Sequence, residues 1–156
     1  MEKHDEVLIA LRQIIRAIDM HSKRLIKEAG LTAPQLLLLK GINELGQISM
    51  RQLANHTNMS QATATTIMDR LESRQLVERI RSQTDKRKVH ATLTEQGRLL
   101  LSNAPTPLQD HFIQRFQALE GWEQTLLLSS LQRISHMMNA SDIDAAPVLS
   151  VNPLTD

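Results

Sequence analysis

The chain has 156 residues, 41% hydrophobic and 22% charged, with a formal net charge of +1, enough for one compact protomer with a real core and too short to need several domains. It has no cysteine, one tryptophan, two phenylalanines and no tyrosine, which excludes disulfides, thiolate catalysis, cysteine redox sensing and cysteine zinc sites and favours a mainly α class. No apolar run approaches a membrane span and the charged first six residues do not resemble a signal peptide, so a soluble, cytoplasmic protein without membrane partners is expected.

From Asp5 to about Ala29, apolar residues at Leu8, Leu11, Ile15 and Ile18, continued by Leu25 and Ile26, follow a helical period, and Gly30 is placed to end it. Thr32-Ala33-Pro34-Gln35 forms a capping box with proline in the first turn and opens a helix through Leu36, Leu37, Leu38, Leu39 and Ile42, closed by Gly46. Four consecutive leucines leave that helix no polar side, so it should be buried between others. Ser49-Met50-Arg51-Gln52 is a second capping box and starts a short helix; Asn58-Met59-Ser60 makes a turn, and Ser60 caps a further helix. There Ala64, Ile67, Met68 and Leu71 fall at core spacing, leaving Gln61, Ala62, Thr63, Thr65, Thr66 and Arg70 on the outer or flanking surface.

Leu76–Arg81 and Val89–Leu93 read as two strands joined by residues 82–88, and Thr94 caps the helix that follows. Leu99 to Leu101, Leu108 to Leu119 and Trp122 to Met138 complete the helical patterns, with Pro105 and Pro107 expected to interrupt or kink the first of them. Residues 142–156 carry Pro147 and Pro153, lack a sustained period and read as an extended tail. The expected fold is mainly α with a small β-hairpin wing: a winged helix-turn-helix lobe over 31–97, an N- and C-terminal helical dimerisation region over 1–30 and 98–140, and a tail over 141–156.

Charge is segregated along the chain. Between Arg70 and Lys88 there are seven basic residues against three acids, whereas from Leu99 onward two basic residues face six acidic ones. One basic face on an otherwise neutral or acidic protein suits a polyanionic partner.

Asp85-x-Arg87 in the hairpin, Leu93-Thr94-x-x-Gly97 after it and Met68-Asp69-Arg70-Leu71-Glu72 before it, in this order of elements, resemble the MarR family of transcriptional regulators over residues 5–140. The resemblance implies a homodimer, usually triangular, whose terminal helices interlock while two winged lobes straddle a pseudo-palindrome in double-stranded DNA. It also implies a repressor, released when a small-molecule effector or an oxidant changes the lobe spacing. Ala62, Thr65 and Thr66 would face thymine methyls, Gln61 an adenine edge or a phosphate, and Thr63 and Arg70 phosphates, while Ser60 is foremost a cap. Arg87 resembles the family arginine that enters the minor groove, Asp85 its companion acid bracing the loop by ion pairing, and Lys86 and Lys88 would add phosphate contacts.

The family's usual ligand crevice implies Arg16, Met20, His21, Leu37 and Met68 as candidate liners. Glycine commonly follows the recognition helix in the family, but here the residue is Gln75, which must accept a left-handed backbone at about 1 kcal/mol or find another geometry. Residues 122–124 and 144–149 resemble a subgroup that controls compatible-solute (ectoine-type) genes, for which an osmotic or ionic signal would modulate binding.

No glycine-rich phosphate loop, nucleophile with a base or paired carboxylates are evident, so no enzyme activity and no cofactor are expected. The six histidines, His4, His21, His56, His90, His111 and His136, form no close ligand pair, so no metal is expected. A basic hairpin could instead meet an acidic protein partner. Ser, Thr, Gln and Ala on the outer helix surface favour a DNA groove over such an interface.

Overall fold

In a computed structural model, residues 1–151 are described; the final part of the expected tail, 152–156, lies outside them. The elements are α1 (Lys3–Ala29), α2 (Ala33–Leu45), β1 (Ile48–Ser49), α3 (Met50–His56), α4 (Gln61–Ser73), β2 (Val77–Arg81), β3 (Val89–Leu93), α5 (Glu95–Asn103), α6 (Leu108–Gln117) and α7 (Gly121–Met137). They fall into two compact units, one of residues 1–105 together with 147–151 and one over Thr106–Ala146. No helix among the described residues is long and apolar enough to cross a membrane.

The helix starts follow the local chemistry read from the sequence. Thr32 accepts from the Gln35 backbone N–H while the Gln35 side chain takes that of Thr32, and Ser49 and Gln52 do the same for α3. Gly30 ends α1 with φ 63°, a conformation glycine adopts without a Cβ penalty.

Three other helices end on non-glycine residues in the left-handed region: Asn58 after α3, Gln75 after α4 and Asn139 after α7. At each, two backbone bonds close a Schellman motif, and after α4 these are Gln75 N–H to Glu72 O at 2.9 Å and Leu76 N–H to Leu71 O at 3.0 Å. Gln75 therefore takes the strained option, with φ 61°, held by two hydrogen bonds and the packing of buried Leu76 and Leu71.

In the core of the first unit α4 presents the face expected from its helical period, whereas the apolar period of α1 at Leu8 and Ile15 stays exposed. Leu36, Leu38 and Leu39 of α2, Leu53 of α3, and Ala64, Ile67, Met68 and Leu71 of α4 are buried, together with Val77, Ala91 and Leu93 of the sheet. The sheet has three strands in the order β1-β3-β2, all antiparallel, with Val77 opposite Leu93 and Arg79 opposite Ala91. β1 was not foreseen because two residues are too few to show an alternation, and Leu76, expected in β2, is instead the last residue of the Schellman turn.

Pro105 and Pro107 break the helical run outright. α5 ends at Asn103 and α6 begins at Leu108 with Pro107 at its N-cap position, as expected for a residue with no N–H to donate. In the second unit, Gln124 Nε2 donates to the carbonyls of Phe116 and Leu119, both at 3.1 Å, fixing the α6–α7 corner.

Candidate nucleic-acid interface

α4 is set between core and solvent by its own sequence. Burial of Ala64, Ile67, Met68 and Leu71 leaves Gln61 and Ala62 exposed and Thr63, Thr65, Thr66 and Arg70 half-buried on its other faces. Ser60 Oγ accepts the Thr63 N–H at 3.1 Å and donates to Thr63 Oγ1 at 2.8 Å, so its role is that of a cap. The Thr66 hydroxyl donates to the Ala62 carbonyl at 3.0 Å. Its hydrogen is spent within the helix.

The wing tip is held by its own short-range bonds. Ser82 Oγ accepts the backbone N–H groups of Thr84 and Asp85, both at 3.3 Å, and the Lys88 N–H donates to the Asp85 carbonyl at 2.9 Å. The Asp85 carboxylate accepts the Arg87 backbone N–H at 3.1 Å. Asp85 thus braces the loop as expected, but through the main chain of Arg87 and not through an ion pair with its guanidinium. The reason is reach: a carboxylate two residues back meets the N–H of a tight turn far more readily than a long side chain pointing outward. Lys86, Arg87 and Lys88 are exposed, and among the described residues their side chains have no hydrogen-bond or ion-pair partner.

Not every cation counted in the sequence belongs to this free set. Arg74 donates to the Gly30 carbonyl at 2.8 Å, linking the end of α4 to the end of α1. Arg79 of β2 forms an ion pair with Asp69, lies 3.8 Å from Glu72 and reaches the Thr65 carbonyl at 3.4 Å. In the sequence Arg79 is one positive charge among seven, and no signal there announces a partner ten residues away on another element.

The loop, strand and helix are locked at one junction. Thr94 caps α5 by accepting the Gly97 N–H at 3.0 Å, donates its hydroxyl hydrogen to the Gln75 carbonyl at 2.7 Å, and donates its backbone N–H to the Leu76 carbonyl at 3.1 Å. The Leu-Thr-x-x-Gly motif is therefore the point where the wing returns to the end of α4.

Among the described residues the candidate effector liners differ in exposure. Arg16 and Met20 are exposed on α1, His21 and Leu37 are half-buried, and Met68 is wholly buried in the lobe core, where it serves as packing. Two open clefts in this unit have other walls: one of about 380 Å³ lined by Ile42, Asn43, Gln47, Thr92 and Arg98 among others, and one of about 440 Å³ lined by Arg74, Leu76, Gln96, Leu99, Leu100 and Asn103. Among the described residues no group of three or more His, Asp or Glu side chains could hold a metal ion.

The MarR family model matches residues 31–89, the span from α2 to the start of β3. The transcriptional regulator HosA of Escherichia coli O111:H- is 31% identical over 133 residues, 84% of this chain and 96% of that protein. The homoprotocatechuate degradative operon repressor of Escherichia coli is 25% identical over 86% of each chain. Among solved structures, the transcriptional regulator BldR from Sulfolobus solfataricus is 31% identical with a TM-score of 0.54, covering 88% of this chain and 99% of that one.

Proposed function

The chain belongs to the MarR family of DNA-binding transcriptional regulators, which are not enzymes, and we propose that it is a homodimeric repressor of a pseudo-palindromic operator. In this reading the outer surface of α4, residues 60–66, enters the major groove, with Gln61, Ala62, Thr65 and Thr66 at base edges and Ser60 and Thr63 at the helix start near phosphate. Arg87, aimed by Asp85, enters the adjacent minor groove, while Lys86, Lys88 and Arg70 contact phosphates. The observation that carries the reading is the unpartnered cationic tip at Lys86, Arg87 and Lys88 on a loop braced by its own hydrogen bonds. Three positive charges left uncompensated on an ordered turn suit a polyanion.

Dimerisation is supported by the apolar surface each unit leaves in water. α1 buries only Ser22, Leu25 and Ala29, leaving Leu8, Ile14, Ile15 (61% exposed) and Met20 uncovered, while α6 and α7 bury no residue and expose Phe112, Trp122 (68%), Leu127 and Leu131. So much exposed large apolar side chain on helices is the mark of a surface that a second chain covers. A small effector would fit the cleft beside Arg74, whose size is in the ligand range of roughly 300–1,000 Å³. The compatible-solute resemblance rests on residues 122–124 and 144–149 alone and carries no part of this function.

The test is selection of genomic fragments by the purified full chain, with footprinting of the fragment recovered and sedimentation velocity to weigh the complex. A dimer protecting two half-sites about one helical turn apart supports the reading. A monomer with no preference over random competitor refutes it, and retention of an acidic protein instead of DNA would favour the protein-interaction alternative.

A further inference from the structure

We infer that Arg79 is the positioning residue that fixes the recognition helix against the wing, so that discrimination among DNA sequences depends on it although it reads no base. This rests on the DNA-binding reading above. Arg79 lies mid-strand in β2, opposite the buried Ala91, and is 26% exposed. Its guanidinium meets three acceptors on α4, the Thr65 carbonyl, the Asp69 carboxylate and the Glu72 carboxylate. These residues are spaced by four and three, one stripe of the helix. A planar fork can hold such a stripe at several points, which an ammonium cannot.

The two ends of this clamp are the two parts of the interface. Thr65 belongs to the helix segment placed at base edges, and β2 runs directly into the loop that presents Arg87. Turning α4 about its axis relative to β2 would move the helix contacts and the wing contact out of register with each other. Base-edge hydrogen bonds tolerate errors of only about 0.5 Å, whereas attraction to phosphate is long-ranged and indifferent to such shifts.

The experiment measures competition between a fragment selected from genomic DNA and random duplex, using the full chain and the variants Arg79→Met, Asp69→Ala, their combination, and Arg87→Ala. The expected result for Arg79→Met is a loss of about tenfold in preference for the selected fragment, with affinity for random duplex within about twofold and the slope of log K against log salt unchanged. Asp69→Ala, which alters only an exposed helix position, should show a loss of the same kind, and the double variant should be no worse than Arg79→Met alone.

Full preference retained in either single variant overturns the proposal, as does a double variant whose losses multiply. A salt slope lower by about 0.9 for Arg79→Met would also overturn it, because Arg79 would then be a phosphate ligand itself. If wild type prefers no fragment and Arg87→Ala behaves like wild type, the DNA reading fails and the proposal with it. That pattern is distinct from a selective wild type matched by Arg79→Met.

Discussion

The carbonyl oxygen of Leu76 occupies the place where a side chain at Gly97 would have to lie. The contact joins the first turn of α5 to the residue that leads from α4 into the wing, and Thr94 closes it from the other side by donating its N–H to the same oxygen. Glycine is needed here for space and not for backbone conformation.

Gly97→Ala therefore forces backbone apart at the junction and should cost about 3 kcal/mol, the upper range for overpacking. Urea unfolding followed by circular dichroism measures it. A midpoint unchanged from wild type would mean that the approach relaxes freely.

Gln75→Gly should act in the opposite direction. At φ 61° a Cβ is a liability of about 1–2 kcal/mol, partly offset by the greater freedom glycine gains when unfolded, so a net stabilisation of about 0.5–1 kcal/mol is expected. It would appear as a higher urea midpoint at constant m-value.

Arg74→Met removes the bond to Gly30 that ties the last turn of α1 to the lobe. The side chain is on an exposed residue, so the loss should be modest, about 0.5–1 kcal/mol. Amide exchange should speed up in the last turn of α1 while the protected amides of α4 keep their order.

Arg87→Ala should lower specific DNA affinity by about 1–3 kcal/mol and leave thermal stability unchanged, since the side chain has no partner within the protein. Lys86→Ala should weaken selected and random duplex alike and reduce the salt slope by about 0.9. Gel-shift titrations at several salt concentrations separate the two.

Leu71→Ala should destabilise by about 2–5 kcal/mol through the cavity it leaves, because Leu71 is wholly buried. Calorimetry checks this, and a loss under 1 kcal/mol would mean that the end of α4 collapses onto the void.

The amino-acid sequence by itself determined the starts of α2, α3, α4 and α5, the residues that cap them and the core face of α4. Ser49 with Gln52, Thr32 with Gln35, and Ala64, Ile67, Met68 and Leu71 interact or align across three or four residues, and that range is written in linear spacing. It also placed the cationic loop and its bracing acid, because turn chemistry is equally local. Tertiary structure alone decided that β1 completes the sheet, that Arg79 grips α4 while Lys86, Arg87 and Lys88 stay free, and that Gly97 makes room for Leu76. Each of those depends on chain segments that approach only after folding, and the identity of a distant partner leaves no periodic trace in the residues that will meet it.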